Sequence, residues 1–158
     1  NTLRLSRIAL HARTGKQQYK GHPDLEAFQG FYELCQHPLY YNGGIESLSD
    51  IRQILTRFPL LKGVFIGRGL LSSPLLAKEF KGNETFLPEQ RMSIYFAFHE
   101  ELFSAYSQVL QGETQLLVKM KTLWEYFLPE TDRKLLKRIK KSTRLQQYTE
   151  SVKAIFTS

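Results

Sequence analysis

The spacing of apolar residues changes character partway along the chain. Up to about residue 82, short apolar runs alternate with segments of helical period. In LSRIALHA (5–12), Leu5, Ile8 and Leu10 read as a buried strand, followed by the polar loop RTGKQQYKGHPD and a helix over Leu25 to Gln36. PLYYNGG is a second short strand with a helix over Ser49 to Phe58. LKGVFIGRG is a third, followed by LLSSPLLAKEF, where Pro74 marks a helix start. Ser47 and Asp50 supply the Ser-x-x-acid pattern that satisfies orphan amides at the start of the second helix. Strands separated by helices need right-handed crossovers, which predicts a parallel sheet. Ligands of such sheets lie beyond the carboxyl ends of the strands. His11, Asn42 and Arg68 fall at those ends.

After KGNETFLPEQ the strand signals stop. Tyr95, Phe98, Leu102, Ala105 and Val109, spaced three and four apart, make one helical face. Gly112 breaks it, and Leu116, Met120, Leu123 and Phe127 repeat the spacing until Pro129. Leu135, Leu136 and Ile139 predict a short third helix. Leu145, Tyr148, Val152 and Ile155 predict a fourth, with Thr143 and Gln146 as its capping box. The expected organisation is an α/β domain over 1–82 and a small bundle of about four helices over 83–158. Three strand–helix units cannot close a barrel of eight strands and about 250 residues. The chain opens in mid-strand at Asn1, without an initiator methionine, so a fragment of a longer protein is expected.

Composition narrows the function classes. An apolar content of 42% with 13% aromatics predicts a packed globular protein. No apolar run has the length of a membrane span, and the first residues lack a signal-peptide layout. The single Cys35 excludes a disulfide within the chain and fits a reducing, cytoplasmic compartment. His11, His22, His37 and His99 show no spacing suited to a metal. A net charge of +7 suggests a polyanionic partner, nucleic acid first, although charge alone also fits mere solubility.

Two glycine-bearing turns, Asn42-Gly43-Gly44 and Gly67-Arg68-Gly69, lie one strand–helix unit apart. They are either tight connections or, taken together, a phosphate cradle: glycine permits close backbone approach and Arg68 adds a planar donor fork. The turn GRGLLS lacks the third glycine of a dinucleotide fingerprint and no Walker pattern is present, so a mononucleotide such as FMN is the better candidate. His11, at a strand end, can face a bound ring as donor, acceptor or cation. Arg13 and Lys16 put positive charge on the same rim, where a substrate phosphate or base could dock.

Taken in order, HARTGKQQYKGHPD, NGGI and GVFIGRGLLSSP resemble the C-terminal half of the tRNA-dihydrouridine synthases. LLVKMKTLWEYF and LLKRIKKSTRLQQY resemble that family's helical domain. The resemblance implies about three β/α units from the end of a flavin-binding (β/α)8 TIM barrel, followed by a helical tRNA-binding domain. It implies FMN as cofactor, NADPH as reductant, and reduction of uridine to 5,6-dihydrouridine in tRNA. His11 then matches the histidine beside the flavin ring, and Asn42, Gly43, Gly44, Gly67 and Arg68 match the residues that hold the FMN phosphate. Gln17, Tyr19, Gly21 and Asp24 follow the family's spacing. The proton-donating cysteine and a flavin-contacting lysine belong to segments upstream of Asn1. No catalytic residue is therefore expected in this chain, which would be inactive alone. Cys35, inside a predicted helix and away from strand ends, is a packed side chain.

The run DRKLLKRIKKSTR carries Arg133, Lys134, Lys137, Arg138, Lys140, Lys141 and Arg144 against the single acid Asp132. A solvated helix face is one reading. The resemblance favours contact with tRNA phosphates instead, by Arg133, Lys134, Lys137, Arg138 and Lys141, with Arg13 serving from the other domain. Trp124, Tyr126 and Phe127 could stack on bases, although helical spacing places Trp124 and Phe127 in a core. Two other readings stay open: a different FMN-dependent TIM-barrel oxidoreductase acting on a small substrate, and a flavin-free RNA-binding module.

Overall fold

Parallel pairing organises the first part of the chain. The computed structural model describes residues 2–17 and 20–157; Asn1 and Tyr19, both singled out above, lie outside them. Strands β1 (Ile8–His11), β2 (Leu39–Asn42) and β3 (Gly63–Phe65) form one sheet in that order, both pairs parallel. The register sets Ile8 beside Leu39 and His11 beside Asn42, and Asn42 beside Phe65. β1 is shorter than the apolar run suggested: Leu5 precedes it and is exposed. Pro38, just ahead of Leu39, offers no N–H to continue the ladder.

Because strand side chains alternate, the sheet has two distinct faces. Leu39 and Tyr41 are buried, and the helices α1 (Leu25–Leu34) and α2 (Leu48–Arg57) supply their partners. Phe28 of α1 meets Tyr41 edge-on at 4.9 Å and Phe58 at 5.0 Å, with Ile51 and Ile54 of α2 also buried. The opposite face carries Ala9, His11, Tyr40, Asn42 and Phe65, all exposed or half-buried. Asp24 caps α1 through the amides of Glu26 and Ala27. The expected Ser47–Asp50 capping box is formed at α2. α1 stops at Leu34, so Cys35 is its C-cap and not a member of the helix.

The protein divides into two compact units, Asn1–Leu70 and Leu71–Ser158. The short helix α3 (Arg68–Ser72) runs through that division. The second unit holds α4 (Leu76–Gly82), α5 (Pro88–Val109), α6 (Glu113–Leu123), α7 (Arg133–Lys141) and α8 (Leu145–Phe156). α4 precedes the boundary that the loss of strand signals sets at 82, yet it is tied into the helical unit. Leu75 joins its core, the buried Glu79 carboxylate pairs with Arg91 of α5, and Ser73 Oγ lies 2.7 Å from Tyr95 Oη.

The core of this unit is aromatic and aliphatic, built on Tyr95, Met120, Trp124, Phe127, Ile139, Tyr148 and Val152. Two details differ from the periodicity. On α5 the inward face runs through Tyr95, His99 and the half-buried Tyr106, while Ala105 and Val109 are exposed. Before α8 the N-cap is Arg144, and Gln147, not Gln146, folds back to accept from the Thr143 amide.

A buried polar chain threads this core. Trp124 Nε1 lies 3.0 Å from Tyr148 Oη, which lies 2.7 Å from His99 Nε2. An indole N–H can only donate, so the phenol accepts from Trp124 and gives its one proton to His99. Nε2 is then the acceptor, and Nδ1–H donates to Glu100 at 3.0 Å. His99 is 1% exposed, and burial lowers its pKa against the smaller opposing pull of Glu100. The folded imidazole thus resists a proton that the unfolded one binds below about pH 6.5. Stability of the helical unit should be full above that pH and fall as pH drops below it. Melting followed by Trp124 fluorescence tests this, because Trp124 is the only tryptophan. A His99→Gln variant should flatten the slope, and a wild-type melting temperature that held steady or rose on acidification would refute the assignment.

Candidate functional site

The carboxyl edge of the sheet brings three strand-final side chains into line: His11, Asn42 and Phe65 are register neighbours and share the face left uncovered by α1 and α2. After β2 the chain turns through Gly43 (φ +154°) and Gly44 (φ +58°). A Cβ on Gly43 would stand 2.9 Å from Pro23 Cγ and 3.3 Å from His11 Cδ2, so this elbow is pressed against both the 12–24 loop and the histidine. Ile45 plugs the core below, and Asp50 Oδ2 accepts from the amides of Glu46 and Ser47, fastening the elbow to α2.

The second elbow, after β3, packs directly on the first. A Cβ on Gly69 would overlap the Ile45 carbonyl oxygen and lie 3.1 Å from Glu46 Cα. Gly67, by contrast, has nothing within 4 Å of its missing side chain. Across this turn Leu70 N–H donates to Gly67 C=O at 3.1 Å.

Together these segments enclose an open cleft of about 250 Å³. All six residues expected at a cofactor, His11, Asn42, Gly43, Gly44, Gly67 and Arg68, line it. So do three residues that local pattern did not single out, Ile45, Glu46 and Phe65, together with Gly69 of the second turn. Gly69 was visible in GRG, but its contact with Ile45 links two turns that local pattern treats separately. The cleft's chemistry is a half-buried guanidinium, a ring nitrogen pair, a carboxamide and close-packed glycine backbone, with Glu46 placing one acid on the rim. Such a set can hold an anion only if backbone amides and Arg68 outweigh Glu46. Tyr41, beneath the elbow, is buried, and burial raises its pKa against the partial offset from Arg13, which keeps the phenol neutral.

Arg13 does not line the cleft. Its Nη2 donates to the Gly21 carbonyl at 2.9 Å, and the same loop is closed by Gln17 Nε2 on His22 C=O and Asp24 N–H on Ala12 C=O. Cys35 also lies elsewhere, half-buried in an apolar groove with Leu3, Leu5, Phe31 and Leu34. No lining residue of the cleft is a cysteine.

In the helical unit, Leu135, Leu136 and Ile139 of α7 pack inward, while Asp132 caps the helix through the amides of Lys134 and Leu135. Lys134, Lys137, Arg138 and Lys141 line a groove of about 430 Å³ whose other wall is α8. Arg133 is exposed outside it. Among the described residues no α7 cation has an ion-pair partner. Like charges three and four apart on one helix cost a few tenths of a kcal/mol per pair, a burden that packing does not require. Trp124 and Phe127 are fully in the core, leaving Tyr126 as the exposed aromatic of the three. No cluster suited to a metal ion is present among the described residues, and none of their helices is long and apolar enough to cross a membrane.

A family model described as dihydrouridine synthase (Dus) matches residues 5–157. A probable tRNA-dihydrouridine synthase of Aquifex aeolicus (strain VF5) is 34% identical over 77 residues, covering 49% of this chain and 24% of that protein. A second, from Rhizobium leguminosarum bv. phaseoli, is 36% identical over 67 residues, 42% of this chain and 21% of that protein. The matched part thus spans less than a quarter of the length of either curated relative.

Proposed function

The chain belongs to the dihydrouridine synthase family, and on that premise we propose that its α/β unit holds the phosphate end of FMN and its helical unit grips tRNA. Both would serve an enzyme that reduces uridine to 5,6-dihydrouridine. The observation that carries this reading is the convergence of two glycine elbows, His11, Asn42 and Arg68 on a single cleft. The residues fit the group: Gly43 leaves bare backbone where a side chain would collide with Pro23, Gly44 where one would crowd it, and Gly69 lets the second elbow close against the first.

On this reading the sheet face that α1 and α2 leave uncovered is the inner wall of a (β/α)8 barrel completed by other segments. His11 would stand beside the flavin ring, Asn42 would hydrogen-bond the cofactor, and Arg68 with the elbow backbone would take the phosphate. Bound flavin would supply the hydride to the uracil ring, with NADPH as the reductant that renews it. The proton donor is assigned, as the family resemblance implies, to another part of a longer enzyme. The α7 cations, which form no ion pair among the described residues, supply the affinity for tRNA, which is electrostatic and salt-dependent.

In an enzyme of the relatives' full length that carries this segment, Arg68→Ala should weaken FMN retention about tenfold, the worth of one charge-assisted phosphate contact. Flavin absorbance per protein after gel filtration measures it. Unchanged occupancy would remove Arg68 from the site. A yellow enzyme indifferent to tRNA would point to a small substrate instead.

A further inference from the structure

One wall of the α7–α8 groove has a chemistry that phosphate binding does not use. α7 contributes Lys134, Lys137, Arg138 and Lys141, but α8 contributes Gln147 and Glu150, three residues apart and therefore on one face. Glu150 is exposed, and among the described residues it forms no ion pair with the four cations around the groove. A carboxylate there repels phosphate, so a groove built for phosphate alone would be better without it. What a carboxylate offers is an acceptor for a neutral hydroxyl.

The two side chains are held in place. Glu150 Oε1 accepts from Gln146 Nε2 at 3.0 Å. Gln147 Oε1 accepts from the Thr143 amide at 3.1 Å and lies 3.3 Å from Thr143 Oγ1, leaving the NH2 as the donor end of that carboxamide. The neighbouring hydroxyls donate inward, Ser142 Oγ to Ile139 C=O and Ser151 Oγ to Gln147 C=O. The wall therefore sets one donor, Gln147, beside one acceptor, Glu150, facing a row of cations.

That pattern matches a ribose hydroxyl next to its own phosphate. The 2′-OH is both donor and acceptor, it adjoins the backbone phosphate, and it is absent from DNA. We propose that Glu150 and Gln147 receive a 2′-hydroxyl while α7 holds the adjoining phosphate, making this groove the place where the helical unit tells RNA from DNA. The proposal rests on the reading of α7 as an RNA-binding surface.

The test compares the 158-residue chain binding an RNA hairpin, the same hairpin as DNA, and a 2′-O-methyl version, at fixed salt. Wild type should prefer RNA over DNA by about tenfold, the value of a hydrogen bond to a charged group. Glu150→Ala should bring the ratio close to one, weakening RNA and strengthening DNA as the repulsion is removed. Glu150→Gln, which keeps an acceptor oxygen, should retain part of the preference. The methyl ether, which cannot donate, should behave like DNA in wild type. An RNA-to-DNA ratio unmoved by Glu150→Ala, or equal binding of both hairpins by wild type, would overturn the proposal while leaving α7 as a phosphate surface. If Lys137→Glu with Arg138→Glu left RNA affinity untouched, the α7 reading would fall and take the proposal with it. Glu150 is exposed, so melting of each variant should match wild type.

Discussion

Reversing two charges on α7, Lys137→Glu with Arg138→Glu, should lower the affinity of the chain for tRNA on the order of 100-fold near 0.1 M salt. It should also shrink the slope of log affinity against log salt by about two, one for each phosphate that is no longer neutralised. Both side chains are exposed on a helix that its core residues and Asp132 cap hold in place. The structural cost is small by comparison. Acids in the last turns of a helix oppose the dipole by a few tenths of a kcal/mol, and relief of repulsion with Lys134 and Lys141 returns a similar amount. A fall of two orders of magnitude corresponds to roughly 2.7 kcal/mol, well beyond that balance. The binding effect is therefore separable from unfolding, and Trp124 fluorescence on melting provides the control. Affinity and slope that both stayed put would return α7 to the status of a solvated face.

What the sequence revealed and what it hid divide along the range of the interactions involved. Helical period placed α5 to α8, and strand–helix alternation placed His11, Asn42 and Arg68 at one end of a parallel sheet, because both signals are local. The Ser47–Asp50 box was legible for the same reason. The inward face of α5 was read too far along: Ala105 and Val109 fit the spacing, but over 22 residues a strict three-and-four count drifts away from the face its neighbours bury. Pairings between distant residues left no local trace. Glu79 and Arg91 form a buried pair that draws α4 into the helical unit, ahead of the point where strand signals fade. His99 showed no metal spacing, yet its partner is Tyr148, 49 positions away. Arg13 carries a charge suited to a ligand, while its guanidinium bonds the carbonyl of Gly21 in its own loop.

The most consequential of these long-range pairings is the one at Gly69, and replacing it separates two explanations of a glycine-rich turn. On propensity alone Gly69→Ala would help, because alanine favours helix by about 1 kcal/mol and Gly69 has no positive φ to protect. Space decides otherwise. The new Cβ meets a carbonyl oxygen of the facing elbow, and that elbow cannot swing aside cheaply: Ile45 is only 4% exposed, and Asp50 pins the two amides that follow it. Overpacking against fixed backbone costs about 1–3 kcal/mol, so the expected net is a loss of stability in the α/β unit, seen by far-UV dichroism in urea. Gly67→Ala is the matched control, two residues away with open space around it, and should be neutral or slightly stabilising. In an enzyme of the relatives' length Gly69→Ala should also lower FMN retention, because the elbows, forced apart, no longer present their amides to one anion. Equal stability of the two variants, with flavin fully retained by Gly69→Ala, would mean that the elbows are independent connections, and the shared cleft would lose its claim to be a phosphate site.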